Sequence, residues 1–465
     1  MAVEHDTQAD RAAGEERYRR QLLLTVIAAV TVFTSSMTIV SASLPTMAED
    51  LVSSESFLCW SVTGLFLVMA VATPVLGRLG DIHGHRRVFL GGAIVLGLGT
   101  ALCAVAPTAT AFVAARMLAG AGIAATMPNG IALIMEAYPL HRRSQAMGWW
   151  SMAMTGAPVI GLIIGGPLIE AFGWRVVFIV LTPISMVGIF LSWKVIRPSP
   201  RGPRVPIDVA GALSLATATL SFLLCWERGG SAGFGDPLAL VLLLVAVGAL
   251  ATFLRVERRV PAPMLRLEYF RRPNFRGPLI AQPTAQFAYM GGFLIAPLLL
   301  DELFGFTVTG IALVLLFRPG VYSVMSPVGG RLAMVTGERS MIIAGSVLMT
   351  LSMVAWGVAA QQENLGLVIL GLVLSGLAMG LASPSYSTAV AGSVEPKDLG
   401  TANGINATMM NIGMLTGIQA MFTVLGDGRE PSDFATVFFF GGAVASIGLV
   451  GGLMVRSTHH APPSE

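Results

Sequence analysis

The chain has 465 residues, of which 54% are hydrophobic and only 12% charged, with a mean hydropathy of +0.74. A soluble globular domain carries about 25% charged residues, so an ordinary water-soluble enzyme is excluded, and so is a disordered chain. The net charge of +3 is the small difference between 29 basic and 26 acidic residues spread along the sequence, and without a basic tract no nucleic-acid partner is indicated.

Apolar stretches near the roughly 20 residues that a membrane-spanning helix needs predict helices over 21–44, 55–77, 88–107, 109–135, 145–169, 175–195, 208–226, 237–254, 276–300, 308–329, 340–360, 364–388, 400–424 and 433–455. That is fourteen spans. The run beginning at Leu22 is longer than the apolar core of a signal peptide and many spans follow it, so it reads as a retained first helix. With an inner N-terminus, 24 of the 29 Lys and Arg residues fall in inner segments, and only Arg175, Arg228 and Arg429 fall in outer loops. This asymmetry satisfies the positive-inside rule, and both termini are read as cytoplasmic. The longest interior loop, 255–275, reads as a basic interfacial connector. The three cysteines, Cys59, Cys103 and Cys225, lie far apart with no metal-binding spacing. They read as small apolar side chains inside helices, and no metal or cofactor is expected.

Between the second and third spans stands Gly77-Arg78-Leu79-Gly80-Asp81-Ile82-His83-Gly84-His85-Arg86-Arg87. Its glycines permit a sharp turn, and an acid near a helix end lies beside arginines able to grip it or a neighbour. A degenerate copy follows 253 residues later at Gly330-Arg331, with Met334 where the acid stood, then Gly337-Glu338-Arg339. The first stretch resembles the cytoplasmic loop signature of the major facilitator superfamily, departing where Ile82 replaces a basic residue, and the copy is what a duplicated two-bundle transporter leaves in sequence.

Two more stretches agree with that resemblance. Arg116 and Gly120, with Pro128, resemble the superfamily's Arg-containing fourth-helix motif. Gly156, Pro158, Gly161, Gly165 and Gly166 resemble the glycine-rich fifth-helix motif of its exporters, although the usual Gly-Pro pair is here Gly161-Leu162. The hydrophobic pair 208–226 and 237–254 resembles the helices inserted between the bundles in the fourteen-helix drug:proton antiporter branch. The resemblance implies an all-α integral membrane protein of the major facilitator fold, two six-helix bundles plus two extra transmembrane helices. Its parts would be a tail at 1–20, a first bundle at 21–195, a linker with the extra helices at 196–275, a second bundle at 276–455 and a tail at 456–465. It also implies a latch at Gly77, Asp81, Gly84, Arg86 and Arg87 that holds the bundles together at the inner face.

One feature of the branch is missing. Ser36 stands where its first helix usually carries an aspartate, and every one of the 26 acids falls in a tail, in a loop or at a helix end. Arg116, about 12 Å into its span, and Arg318, near the middle of the tenth, are the charges left at depth, and a buried cation is a functional-site candidate. Either is alternatively structural: Arg116 as a hub between helices, Arg318 paired with carbonyls freed by Pro319. Candidates for the cavity are Arg318, Gln286, Tyr289, Asn129, Asn411 and Ser36, each singly open to a reading as helix-to-helix glue.

The function expected is export of small amphipathic organic compounds (drug, antibiotic or metabolite) across the cytoplasmic membrane by a monomeric secondary transporter, its partners being the bilayer and a small molecule, anionic if Arg318 binds it. The alternative is an anion or metabolite exchanger or facilitator without proton coupling. A polytopic membrane enzyme is remote, because no embedded His or Asp offers the chemistry.

Overall fold

The computed structural model describes residues 2–53, 55–58, 60–199, 208–233, 235–260, 266–306, 308–426 and 428–456, and these are helical throughout apart from turns and short connections. In chain order the helices are α1 (Ala2–Asp50), α2 (Glu55–Leu58), α3 (Trp60–His83), α4 (His85–Ala104), α5 (Ala109–Ala137), α6 (Arg143–Phe172), α7 (Arg175–Val195), α8 (Val209–Ala232), α9 (Pro237–Glu257), α10 (Pro273–Glu302), α11 (Val308–Leu315), α12 (Phe317–Thr336), α13 (Glu338–Gln362), α14 (Leu365–Gly392), α15 (Leu399–Leu425) and α16 (Pro431–Met454). Among the described residues ten helices are long and apolar enough to cross a membrane: α3, α4, α5, α7, α9, α10, α13, α14, α15 and α16.

Three boundaries differ from expectation. The segment expected as a tail, 1–20, is helical from Ala2 and continuous with the first span, because it is rich in Ala, Glu and Arg and holds no proline. The tenth span is broken at Leu316 between α11 and α12; Pro319, lacking an N–H, leaves the carbonyl of Leu315 without its helical donor. The loop motif is almost wholly helical: α3 runs on to His83, α4 starts at His85, and Gly84 alone turns the chain, at φ 92°. Gly337 makes the same turn between α12 and α13, at φ 82°. The two copies of the motif therefore share one backbone device, a left-handed glycine between two helices.

Helices α1 and α3–α7 pack among themselves, as do α10 and α12–α16, and the two groups meet along α3 against α15 and α6 against α12. The largest apolar core lies in the second group, from Ala281 to Val455 around Trp356 and Phe438. In the first group Phe112, Trp174 and Phe178 pack edge to face, with centroids 5.3–6.1 Å apart. Helices α8 and α9 pack on each other and touch the rest mainly through α8. Leu244 and Val247 of α9 are exposed, as suits a peripheral, lipid-facing helix. Asp208 and Asp236 cap the two helices by accepting from Gly211 N and from Leu238 N and Ala239 N.

Candidate functional sites: the loop motif and two arginines at depth

The helix α15 begins, like every helix, with backbone N–H groups that have no partner within it. Two of these are met from 320 residues away. The Asp81 carboxylate accepts from Gly400 N at 2.7 Å, Thr401 N at 2.9 Å and Thr401 Oγ1 at 2.6 Å. A buried carboxyl group thus sits on the positive end of a helix belonging to the other helix group. The approach requires glycine on both sides: a Cβ on Gly77 would come within 2.2 Å of Gly400 O, and one on Gly400 within 2.3 Å of Gly77 O. Beside this contact Arg78 Nη1 donates to Asp398 Oδ1 at 3.0 Å, and Tyr269 Oη donates to Asp398 Oδ2 at 2.7 Å. Arg266, from the connector expected to be interfacial, pairs instead with Glu395 at 2.7 Å.

Other motif residues serve elsewhere. Arg86, expected to join the bundles, donates from Nη2 to Trp193 O at 2.6 Å and so caps the end of α7 within its own group. Arg87 is exposed. Arg78, not among the residues chosen from sequence, is the arginine that crosses. His85 also escaped the sequence reading, which quoted it within the loop motif and gave it no role. It is buried, with Nδ1 2.8 Å from Asn129 Oδ1 and Nε2 3.5 Å from Asp81 Oδ1 and 3.4 Å from Glu136 Oε1. Asn129, a cavity candidate by sequence, is held in this network, its amide donating to Leu76 O and Ala125 O.

The copy of the motif meets the other group through α6. A Cβ on Gly330 would lie 2.3 Å from Ser144 O, and one on Gly148 would lie 2.5 Å from Ser326 O. With Met334 in place of the acid, the polar contact is a hydroxyl: Ser144 Oγ donates to Glu338 Oε1 at 3.3 Å. Gly156 continues this seam, facing Ser323, whose hydroxyl donates to Met152 O. Pro158, Gly161, Gly165 and Gly166 lie outside the residues whose side chains the structure describes.

At depth the two arginines are held differently. Arg116 is buried in the first group, donating from Nη1 to Ser36 Oγ at 3.0 Å and from Nε to Ser61 O at 3.2 Å. Gly120, one turn on, lies against the Leu65 backbone. Ser36, where the branch would have an acid, is therefore a neutral partner of Arg116. Arg318 is fully buried at the start of α12, and its Nε, Nη1 and Nη2 make no hydrogen bond. Its guanidinium lies 3.7 Å from the ring centre of Tyr289, 5.6 Å from Phe293 and 5.7 Å from Trp356. Pairing with carbonyls freed by Pro319 is not what the structure contains. Tyr289 packs edge-on against Tyr322, 5.9 Å away. Gln286, three residues before Tyr289 and so on the same face of α10, has an unsatisfied buried carbonyl oxygen, and Tyr386 an unsatisfied hydroxyl. Asn411 is buried on α15. The second group thus holds a desolvated cation with aromatic walls, and unsatisfied polar atoms on Gln286 and Tyr386.

A family model described as Major Facilitator Superfamily matches residues 24–275 and 279–465. The chain belongs to the major facilitator superfamily. It is a multi-pass membrane transporter that acts on small molecules, and not an enzyme. Among its relatives is the multidrug resistance protein Stp of Mycobacterium tuberculosis, 28% identical over 388 residues, which are 83% of this chain and 72% of that protein. The tetracenomycin C resistance and export protein of Streptomyces glaucescens is 29% identical over 397 residues, 84% of this chain and 73% of that protein. Among solved structures, the human organic anion transporter MFSD10 superposes with a TM-score of 0.69 at 15% identity, covering 95% of this chain and 99% of that one. That likeness speaks to the major facilitator fold.

Proposed function

We propose that the chain is a fourteen-span exporter of the cytoplasmic membrane, in the drug:proton antiporter-like branch, that moves amphipathic organic compounds bearing an anionic group outward by alternating access. The spans would be the ten apolar helices with α1, α6, α8 and the broken α11–α12 helix. Residues 21–195 and 276–455 form the bundles, α8 and α9 within 196–275 stand aside, and both termini, 1–20 and 456–465, are cytoplasmic. The end carrying Gly84 and Gly337 is then the inner face, as the 24 inner basic residues support. The protein works as a monomer. Export is supported by the relatives, named for drug resistance and antibiotic export, and by Gly156 with the glycines after it. Contacts of Asp81 with Gly400 and of Gly330 with Ser144 support a conformation closed at the inner face, in which Asp81 is the latch.

The observation that carries the substrate reading is Arg318. Burying an unpaired ion costs several kcal/mol, and a desolvated cation–π contact returns about 2 kcal/mol, so the site is short of an anion. A carboxylate or sulfonate about 4 Å away gains on the order of 4 kcal/mol at an effective dielectric of 20, with Tyr289, Phe293 and Trp356 taking an aromatic body. In inside-out vesicles, uptake of anionic fluorescein and of cationic ethidium is to be compared for the unmodified protein and Arg318→Leu. Fluorescein uptake that falls about a hundredfold in the variant supports the reading. Full activity of the variant, or strong uptake of ethidium by the unmodified protein, rejects it. A second reading, an exchanger or facilitator without proton coupling, is favoured by Ser36, which gives Arg116 a hydroxyl where a proton-carrying acid would be needed. Fluorescein uptake indifferent to an imposed pH gradient would select it.

A further inference from the structure

We propose that His85, Asp81 and Glu136 form a proton-binding site at the inner gate, and that proton binding there holds the gate shut. The inference rests on the orientation and alternating-access reading given above. Its starting point is the tautomer of His85. Both hydrogens of the Asn129 amide are committed to carbonyls, Leu76 O at 3.1 Å and Ala125 O at 2.8 Å, so the atom facing His85 Nδ1 at 2.8 Å is an acceptor. Nδ1 must therefore carry a hydrogen. In a neutral imidazole that leaves Nε2 with a bare lone pair, 3.5 Å from one carboxylate oxygen and 3.4 Å from another.

Three acceptors gathered at one place, with His85 and Asp81 buried and Glu136 reaching the surface, repel unless one more proton lies among them. Asp81 Oδ1 is already engaged by Gly400 N, which leaves the shared proton to bridge Nε2 and the carboxylates.

The surrounding charges are few. On α3 they are Asp81 and Arg78, the latter turned to Asp398 ahead of α15. On α5 they are Glu136 and the neutral Asn129. From α6, Arg143 acts on Glu136 at longer range and donates to Tyr138 O. From α15 come the uncharged Gly400 and Thr401, with Gly400 directly against the imidazole. Arg86 and Arg87, beside His85 in sequence, turn to α7 and to the surface. Glu136 is 28% exposed at its side chain, which gives the cytoplasm a route for the proton.

The coupling to the gate follows from geometry. Asp81 touches α15 and His85 at once, and opening the gate withdraws Gly400 and Thr401 and admits water, which solvates and screens the three acceptors. The closed gate then holds one proton more than the open gate, so acid on the cytoplasmic side favours closure and alkali favours opening. For one proton the closed-to-open ratio changes by at most about tenfold per pH unit.

The test uses the full chain in lipid nanodiscs without substrate, its native cysteines replaced, with spin labels at His83→Cys and Lys397→Cys on either side of the gate. The distance distribution should pass from closed to open as pH rises. His85→Arg keeps the charge but cannot release it, and should stay closed throughout. His85→Gln cannot take it up, and should show a ratio independent of pH and shifted at least fivefold toward open. A distribution that does not move with pH in the unmodified protein, or that moves equally in either variant, overturns the proposal. Fluorescein uptake at fixed pH tests the exporter reading separately. Uptake with a flat distance response rejects the proton site alone, and no uptake with a pH-sensitive gate rejects the exporter alone.

Discussion

The two helix groups carry copies of one motif, yet they have been given opposite chemistry. In the first, the end bearing Gly84 holds Asp81, His85 and Glu136, and the arginine at depth, Arg116, has Ser36 and Ser61 as partners. In the second, the end bearing Gly337 has Met334 and a hydroxyl contact to Glu338, whereas its deep arginine, Arg318, has aromatic walls and no hydrogen bond. On the proposed reading the shared backbone device serves two tasks: the first group governs the gate, and the second offers the charge for a ligand. Both seams keep the glycine contact, so close approach is common to them and electrostatic holding is not.

That comparison can be broken most strongly where the seams are alike. A Val at Gly77 or at Gly330 drives a side chain into opposing backbone, and overpacking of this kind costs about 1–3 kcal/mol. Vesicle uptake should fall up to about a hundredfold in both variants, with normal membrane insertion. A large loss from one alone would mean that only one seam closes. The next effect separates the seams. Asp81→Asn removes the charge from three hydrogen bonds, and bonds to charged groups are worth about 1.5–3 kcal/mol each, so transport should drop about tenfold or more. Glu338→Gln touches one hydroxyl contact and should change transport by about twofold or less; equal losses would erase the distinction. The smallest effect lies at the rim. Lys397 and Arg266 hold the Glu395 carboxyl below its usual range. Its ion pairs are therefore complete above the ordinary carboxylate range and are lost only as pH falls through the lowered value. Being exposed they are screened, so Lys397→Ala should leave uptake at neutral pH unchanged within measurement.

Much of this was legible in the sequence, and the misses have physical causes. Length and hydropathy place helices because a bilayer tolerates no unpaired backbone, and Arg116 and Arg318 stand out because charge at depth is rare. His85 did not stand out: between a glycine and two arginines it looks solvated, and only the run of α3 to His83 and the one-residue turn at Gly84 bury it. Asn129 looked like a cavity residue because hydropathy gives no depth along α5, and the structure holds it beside His85. The roles of Arg78 and Arg86 were exchanged for a related reason, since helical phase decides which arginine faces α15 and which faces α7. The isolation of Arg318 could not be read at all, because an absent partner is a three-dimensional fact.

The division of labour is tested most directly by measuring binding and transport on the same two variants. Equilibrium binding of fluorescein to purified protein in nanodiscs and fluorescein uptake in vesicles are to be determined for Arg318→Leu and Asp81→Asn. Arg318→Leu should lose binding and transport together, whereas Asp81→Asn should bind within about twofold of the unmodified protein and transport about tenfold more slowly. Binding lost in Asp81→Asn and kept in Arg318→Leu would contradict the assignment of gate to one half and ligand charge to the other.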